Sequence, residues 1–225
     1  MAAPLPTSER IVDLHDRLLA DPRWPHDEPA ADAGDEVLAW AQVNHRHNSL
    51  LWGEEDLARR TQVADAEIAA NKRAIDRHNQ ARNDATERVD EFLLMSLGLI
   101  DPATAGGDQP VARVGADARL NSETAGSMMD RMSIMALKIK AMTAQTVRSD
   151  VDDAHRASSK LKLARLNEQR DDLGACLDRL LADSKAGRAY FKVYRQFKMY
   201  NDPRFNPVLV AEQAAARKQA QSAQQ

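Results

Sequence analysis

Amide and carboxylate side chains follow one face of a helix that is predicted to run from about Val63 to Leu97. Between Ile75 and Val89 the sequence DRHNQARNDATER contains no large apolar side chain. Polar residues here lie three or four positions apart, which places them on the same side of an α-helix: Asp76, Asn79, Asn83, Glu87 and Asp90. Because apolar residues occupy the same face before and after this stretch, the pattern predicts a core-facing helix that changes midway to amides and acids.

The preceding helix, predicted from Asp35 to about Arg60, carries a similar line of polar residues: Asn44, Asn48, Glu55 and Arg59. A buried polar group without a partner costs about 1–3 kcal/mol. Two such helices that face each other would therefore either satisfy one another or hold a ligand. The alternative is that both faces are solvated, or that they form a polar network that fixes helix register.

Metal binding is a weaker alternative for the same residues. Glu87 and Asp90 are three positions apart, so two carboxylates share a face, as in Mg²⁺-dependent all-α nucleotide pyrophosphatases. The second acidic pair that such enzymes need is absent, so no cofactor is assigned and Mg²⁺ stays an open alternative. Cys176 is the only cysteine, which excludes a site built from several thiolates.

The histidines give no metal motif in the sequence. His45 and His47 are two positions apart, about 200° around a helix axis, and so cannot chelate one ion together. His78 and His155 stand alone in the sequence and are predicted to be surface or hydrogen-bonded residues.

Small and hydroxyl residues precede a methionine-rich helix that is predicted to begin near Ala125. Free backbone N–H groups at such a helix start attract an anion. The candidate anion ligands are Ser122, Thr124, Ser127 and, one turn into the helix, Arg131. An ordinary helix cap explains the same residues without a ligand.

Aromatic and basic residues are concentrated near the C-terminus, where a last helix is predicted from Ser184 to Asp202. The basic residues recur every three or four positions and would form one face: Lys185, Arg188, Lys192, Arg195 and Lys198. We interpret this helix as a docking helix or as the wall of an anion pocket closed by Lys198. A net charge of −3 makes nucleic acid the least favoured partner.

The whole sequence predicts an all-α, single-domain helical bundle of five to six helices, two or three of them long. Aromatic residues make up only 4% of the chain, which argues against a β-rich fold. Residues 1–34 are predicted to form a helix and a Pro-rich loop, residues 35–207 the bundle, and residues 208–225 a polar tail. A flexible connection is predicted at 101–121. With no signal peptide and no run of about 18 apolar residues, we expect a cytoplasmic protein without membrane contact, which could form a homodimer.

Four segments resemble the bacterial domain-of-unknown-function 4254 family: NSLLWGEEDLARR at 48–60, AIDRHNQARNDATERVD at 74–90, NSETAGSMMDRMSIMALKI at 121–139 and YRQFKMYNDPRFNP at 194–207. Ala125 departs from the proline that we expect there. The resemblance implies an all-helical bacterial protein. Family members are often encoded near sugar-transfer genes, which points to nucleotide-sugar or sugar-phosphate ligands.

These observations lead to a bundle with a polar internal pocket for a small anionic ligand, lined by Asn48, Arg59, Asn79 and Asn83. If the protein is an enzyme, Glu55 or Glu87 is the predicted general base, because a carboxylate that is partly removed from water becomes a stronger base. Two other hypotheses remain: a non-catalytic interaction protein that uses the basic aromatic helix, and a Mg²⁺-dependent nucleotide hydrolase.

Overall fold

A computed structural model describes residues 5–27, 34–110, 113–197, 199 and 202–222 of the chain. Its helices confirm the predicted all-α bundle. They are α1 (Ser8–Ala20), α2 (Glu36–Leu57), α3 (Asp65–Ser96), α4 (Ala125–Thr146), α5 (Asp153–Lys185) and α6 (Pro207–Ser222). Two short strands, β1 (Arg119–Leu120) and β2 (Ala189–Tyr190), complete the elements of the described residues.

Side-chain caps and glycines set the ends of these helices. Thr7 accepts a hydrogen bond from the N–H of Arg10, and Asp35 and Asp152 cap α2 and α5 in the same way. Such caps satisfy N–H groups that have no partner inside the helix. After α5, Gly187 adopts φ +72°, a left-handed conformation that ends helices and that residues other than glycine rarely adopt.

Two helical hairpins, α2–α3 and α4–α5, pack together, and α1 lies against α2, α4 and α5. Apolar side chains from α1, α2, α3, α4 and α5 form one core, so the N-terminal helix belongs to the same packed body as the long helices. Fully buried members include Ile11 on α1, Leu93 on α3, Met132 on α4 and Leu177 on α5.

The connection between α3 and α4 contains β1, which pairs in parallel with β2 after α5. The N–H of Arg119 donates to the carbonyl of Arg188, and the N–H of Asn121 donates to that of Tyr190. Ile100 and Ala105, earlier in the connection, are buried in the core. The connection is therefore fixed to the bundle at these points.

The last predicted helix, from Ser184 to Asp202, is wrong. The long helix α5 continues to Lys185, and residues 189–197 are extended or irregular. Phe191 is buried in the core next to β2, so its burial follows from an extended chain instead of a helix face. Gly187 in the left-handed region is the signal for this break. Lys198, predicted to close the pocket, lies outside the described residues.

Residues up to Val193 form one compact unit, and residues from Tyr194 onward form another. In the second unit α6 occupies most of the segment that was predicted as a polar tail. The Asn206 side chain accepts a hydrogen bond from the N–H of Val208 at the start of this helix. Within the described residues, no helix combines the length and apolar character that a bilayer crossing requires.

Candidate ligand-binding cleft

A network of buried amides joins α2, α3 and α4 at the centre of the bundle. Asn44, which is 3% exposed, donates to Asp130 Oδ1 at 2.9 Å and to Thr86 Oγ1 at 3.1 Å. Asn48, which is 4% exposed, donates to the same Asp130 oxygen at 2.9 Å. It also contacts Ser133 Oγ at 3.0 Å and Asn44 Oδ1 at 3.1 Å. The predicted polar stripe of α2 is therefore partly a structural network.

Two histidines extend this network into the apolar core. Ser133 Oγ lies 2.7 Å from Nδ1 of His45, and the His45 ring stacks between His15 and Trp24. His15 is 1% exposed, and within the described residues neither of its ring nitrogens has a hydrogen-bond partner. Burial lowers the pKa of both histidines, to about 3 for His45, so both rings are neutral in the folded protein at neutral pH.

The substitution Asn44→Ala is expected to lower the free energy of unfolding by about 1–3 kcal/mol, because Asp130 and Asn48 lose a buried hydrogen-bond partner. Urea unfolding followed by circular dichroism measures this change. The matched control is Gln169→Ala on the exposed face of α5, which should stay within about 0.5 kcal/mol of the wild type. Equal effects of the two substitutions would contradict the structural role of the network.

A cleft of about 300 Å³ opens beside this network, between α2, α3 and α4. We call it the α2–α3–α4 cleft. One side is apolar and includes the indole of Trp52. The lining residues are Asn48, Leu51, Trp52, Glu55, Asp56, Arg59, Asn79, Arg82, Ile134 and Leu137. Four of the residues predicted from the sequence, Asn48, Glu55, Arg59 and Asn79, thus lie around one cavity.

The charged side chains of the cleft differ in how completely they are paired. Glu55 and Arg59 form an ion pair at 2.8 Å, and their side chains are 47% and 70% exposed. Arg82 is deeper, with a side chain that is 26% exposed. Its Nε lies 3.7 Å from Asp130 and is buried without a hydrogen-bond partner in the described chain. The amide of Asn79 likewise makes no hydrogen bond to the described residues.

Sequence reasoning did not select Arg82 or Trp52 as site residues. Arg82 follows Asn79 by three positions, and this spacing alone places both on one helix face. Trp52 on α2 is an apolar residue in a helical pattern, which by itself indicates a core position. The approach of α4, which supplies Ile134 and Leu137, creates the cavity in which these two residues gain a possible role.

Four residues of the predicted α3 stripe do not line the cleft. Asp76 is exposed and pairs with Lys72 at 2.7 Å. Asn83 is 8% exposed and its Oδ1 accepts a hydrogen bond of 3.4 Å from Arg82, so it supports the cleft from behind. Glu87 is half-buried one turn further along. Asp90 is 3% exposed, and one of its carboxylate oxygens accepts a 2.7 Å hydrogen bond from the N–H of Gly126. This oxygen therefore serves the start of α4.

Side chains of the protein already accept hydrogen bonds from the N–H groups at the start of α4. Thr124 caps the helix by accepting the N–H of Ser127 at 3.1 Å, while Asp90 accepts that of Gly126. Burial raises the pKa of Asp90 to about 7, against the lowering effect of its hydrogen bonds to Thr124 and Gly126. The Asp90 carboxyl group thus takes the acceptor position at this helix start, so the geometry does not support the predicted external anion.

The other predicted anion ligands lie away from the α2–α3–α4 cleft. Ser122 is exposed before the helix. Arg131 pairs with Glu123 and lines a separate groove between α4 and α5. Among the described residues, no group of three or more histidine, cysteine, aspartate or glutamate side chains is arranged to hold a metal ion.

The architecture defines an all-α helical-bundle protein in which a cleft of mixed polar and apolar lining lies beside a buried amide network. Residues 38–193 match the family described as Protein of unknown function (DUF4254), and the chain belongs to this family. The match runs from α2 to just past β2 and includes three of the four segments that carried the resemblance. Neither the curated proteins nor the solved structures contain a match to the chain.

Proposed function

We propose that the α2–α3–α4 cleft binds a small anionic ligand that also carries a ring or another apolar part. The observation that carries this proposal is the Arg82 side chain, whose Nε is buried beside the cleft without a hydrogen-bond partner in the described chain. The partners of this guanidinium are distant, Asp130 at 3.7 Å and Asn83 at 3.4 Å, so an anion in the cleft would add stronger charge-assisted hydrogen bonds.

The remaining lining residues define the ligand's chemistry. Arg59 can turn from Glu55 to a second oxygen of the same anion, because its present ion pair is exposed and worth little. Asn79 offers an amide donor and acceptor for hydroxyl groups, and the Trp52 indole offers an apolar face. Phosphate with an attached sugar or base matches this set of groups, so we propose sugar phosphates, nucleotides or nucleotide-sugars as the ligand class.

The cavity volume favours the smaller of these candidate ligands. A cleft of about 300 Å³ is at the lower end of the range for small-molecule sites, about 300–1,000 Å³. A phosphosugar or a mononucleotide fills such a space, whereas a nucleotide-sugar would extend from it over the α2 surface near Glu55 and Asp56. If the protein acts on its ligand, Glu55 is the carboxylate in place to take a proton from it.

The substitution Arg82→Gln is expected to weaken ligand binding about 10–100-fold, because a charge-assisted hydrogen bond contributes about 1.5–3 kcal/mol. The measurement is a thermal-shift screen of phosphosugars, mononucleotides and nucleotide-sugars, followed by titration calorimetry of the compounds that raise the melting temperature. Arg73→Gln, an exposed position on the same helix, should bind like the wild type.

The proposal fails if none of these compounds raises the melting temperature, or if Arg82→Gln and Arg73→Gln bind equally well. Repeating the screen with and without Mg²⁺ tests the second alternative, nucleotide hydrolysis. Release of phosphate only in the presence of Mg²⁺ would favour the hydrolase.

A non-catalytic interaction protein is the other candidate, and the hydrogen-bonded state of Asn44 and Asn48 favours it. Under this candidate the polar stripe only holds the helices together. Arg82→Gln would then alter the free energy of unfolding without any ligand effect.

A further inference from the structure

Two histidines that are distant in the sequence meet on the surface between α2 and α3. Nδ1 of His47 lies 3.2 Å from Nδ1 of His78, and their ring centroids are 5.4 Å apart with the planes inclined at 36°. Both side chains are half-buried. Neither residue lines the α2–α3–α4 cleft. From the sequence, His78 was predicted to stand alone. Only the packing of α2 against α3 brings it next to His47.

The separation of the two nitrogens is that of two ligands on one transition-metal ion. Imidazole nitrogens bind Zn²⁺ at about 2.0–2.1 Å, and two ligands in tetrahedral geometry are then about 3.3–3.4 Å apart. The observed 3.2 Å requires a change of only a few tenths of an ångström. A hydrogen bond between the two neutral rings is the alternative explanation of the distance.

The charges around His78 are mixed. Burial lowers the pKa of His78, aided by the positive charges of Arg77 and Arg46 and opposed by the negative charge of Glu54. Glu54 accepts a hydrogen bond from Asn71 at 2.7 Å, which holds this carboxylate on the same α2–α3 surface.

We propose that His47 and His78 form a two-histidine binding site for a divalent transition-metal ion of the Zn²⁺, Ni²⁺ or Cu²⁺ class. Both rings coordinate through Nδ1. Water completes the coordination sphere, because the described residues supply no third histidine, cysteine or carboxylate ligand. Imidazole ligands select these metals over Mg²⁺ and Ca²⁺, which prefer oxygen. This site is independent of the proposed ligand cleft.

Titration calorimetry of the metal-free full chain with Zn²⁺, without a polyhistidine tag, tests the site. One Zn²⁺ ion per chain is expected. Loss of an outer-shell partner weakens metal binding about 10–100-fold. His47→Gln and His78→Gln each remove a direct ligand, so each should weaken Zn²⁺ binding by more than this. His155→Gln is the matched control, because His155 lies on the exposed surface of α5 next to Gln145. It should bind like the wild type.

Nitrogen-15 spectra of the wild-type histidines give a readout that does not depend on the folding of variants. Zn²⁺ should shift the Nδ1 resonances of two imidazole rings, assigned to His47 and His78 by the spectra of the variants. Absence of saturable binding overturns the proposal. So does unchanged binding in either glutamine variant, or a Zn²⁺ shift confined to other histidines.

Discussion

Replacing Gly126 with alanine is expected to lower the free energy of unfolding by about 1–3 kcal/mol, the cost of an overpacked core. Helix α4 approaches α3 at this glycine. An added Cβ would lie 2.5 Å from the carbonyl oxygen of Thr86 and 2.9 Å from Oδ1 of Asp90. The first of these atoms is backbone and cannot turn away. The second accepts the N–H of Gly126 itself, so relief of the clash would break that hydrogen bond.

Gly53→Ala provides the matched control for this substitution. Gly53 also lies within a helix, α2, but an added Cβ there meets nothing within 4 Å. Alanine loses less conformational freedom on folding than glycine, so this change should stabilise the protein by about 0.5–1 kcal/mol. Urea unfolding of both variants measures the difference. A stabilising Gly126→Ala would show that α3 and α4 are further apart than described.

Acidification from pH 6.5 to about pH 4.5 is expected to destabilise the bundle, because His15 and His45 are buried as neutral rings. Their folded pKa values lie below the unfolded value of 6.5, so in this range the unfolded chain binds protons that the folded chain does not. Stability therefore falls as the pH falls. Each histidine contributes up to about 1.4 kcal/mol per pH unit.

Asp90 acts in the opposite direction in the same range. Its pKa is about 7 in the folded protein and 3.8 as the model value for an unperturbed aspartate. The folded chain thus holds a proton that the unfolded chain releases, and Asp90 destabilises the protein as the pH rises from 3.8 to 7. The sum over these three groups, two histidines against one aspartate, is a net acid destabilisation of about 1.4 kcal/mol per pH unit.

Asp90→Asn separates these contributions. Without the opposing carboxyl group, the slope of stability against pH should double to about 2.8 kcal/mol per unit. His15→Phe keeps an aromatic ring beside His45 and should remove the slope that His15 contributes. Urea midpoints measured at several values between pH 4.5 and 6.5 provide the data. A wild-type stability that does not change with pH across this range would show that the histidines are not buried as neutral rings.

The spacing of polar residues along α3 correctly predicted that they share one face of the helix. It could not predict which role each of these residues has. Asn79 lines the cleft, Asn83 supports it, and Asp90 caps the neighbouring helix. All three have the same helical spacing. Their roles differ because different helices pack against successive turns of α3, and a helical period contains no information on which neighbour a turn will meet.

The C-terminal segment shows where the sequence pattern misled. Basic residues at spacings of three and four predicted a helix from Ser184, yet the chain leaves α5 at Gly187 and continues into β2. Pairing with β1 and burial of Phe191 stabilise the extended form. The strand pairing joins residues about seventy positions apart, and such long-range contacts override local propensity.

The sequence by itself determined the helical class, most helix positions and the presence of amides where apolar residues belong, because apolar periodicity and helix caps act over a few residues. Only the tertiary structure decided which of those amides form hydrogen bonds within the network and which face a cavity. It alone brought Arg82 and Trp52 to one cavity, placed Asp90 at the start of α4 and joined His47 to His78. These relations depend on the register of one helix against another, which is fixed by the packing of the whole core.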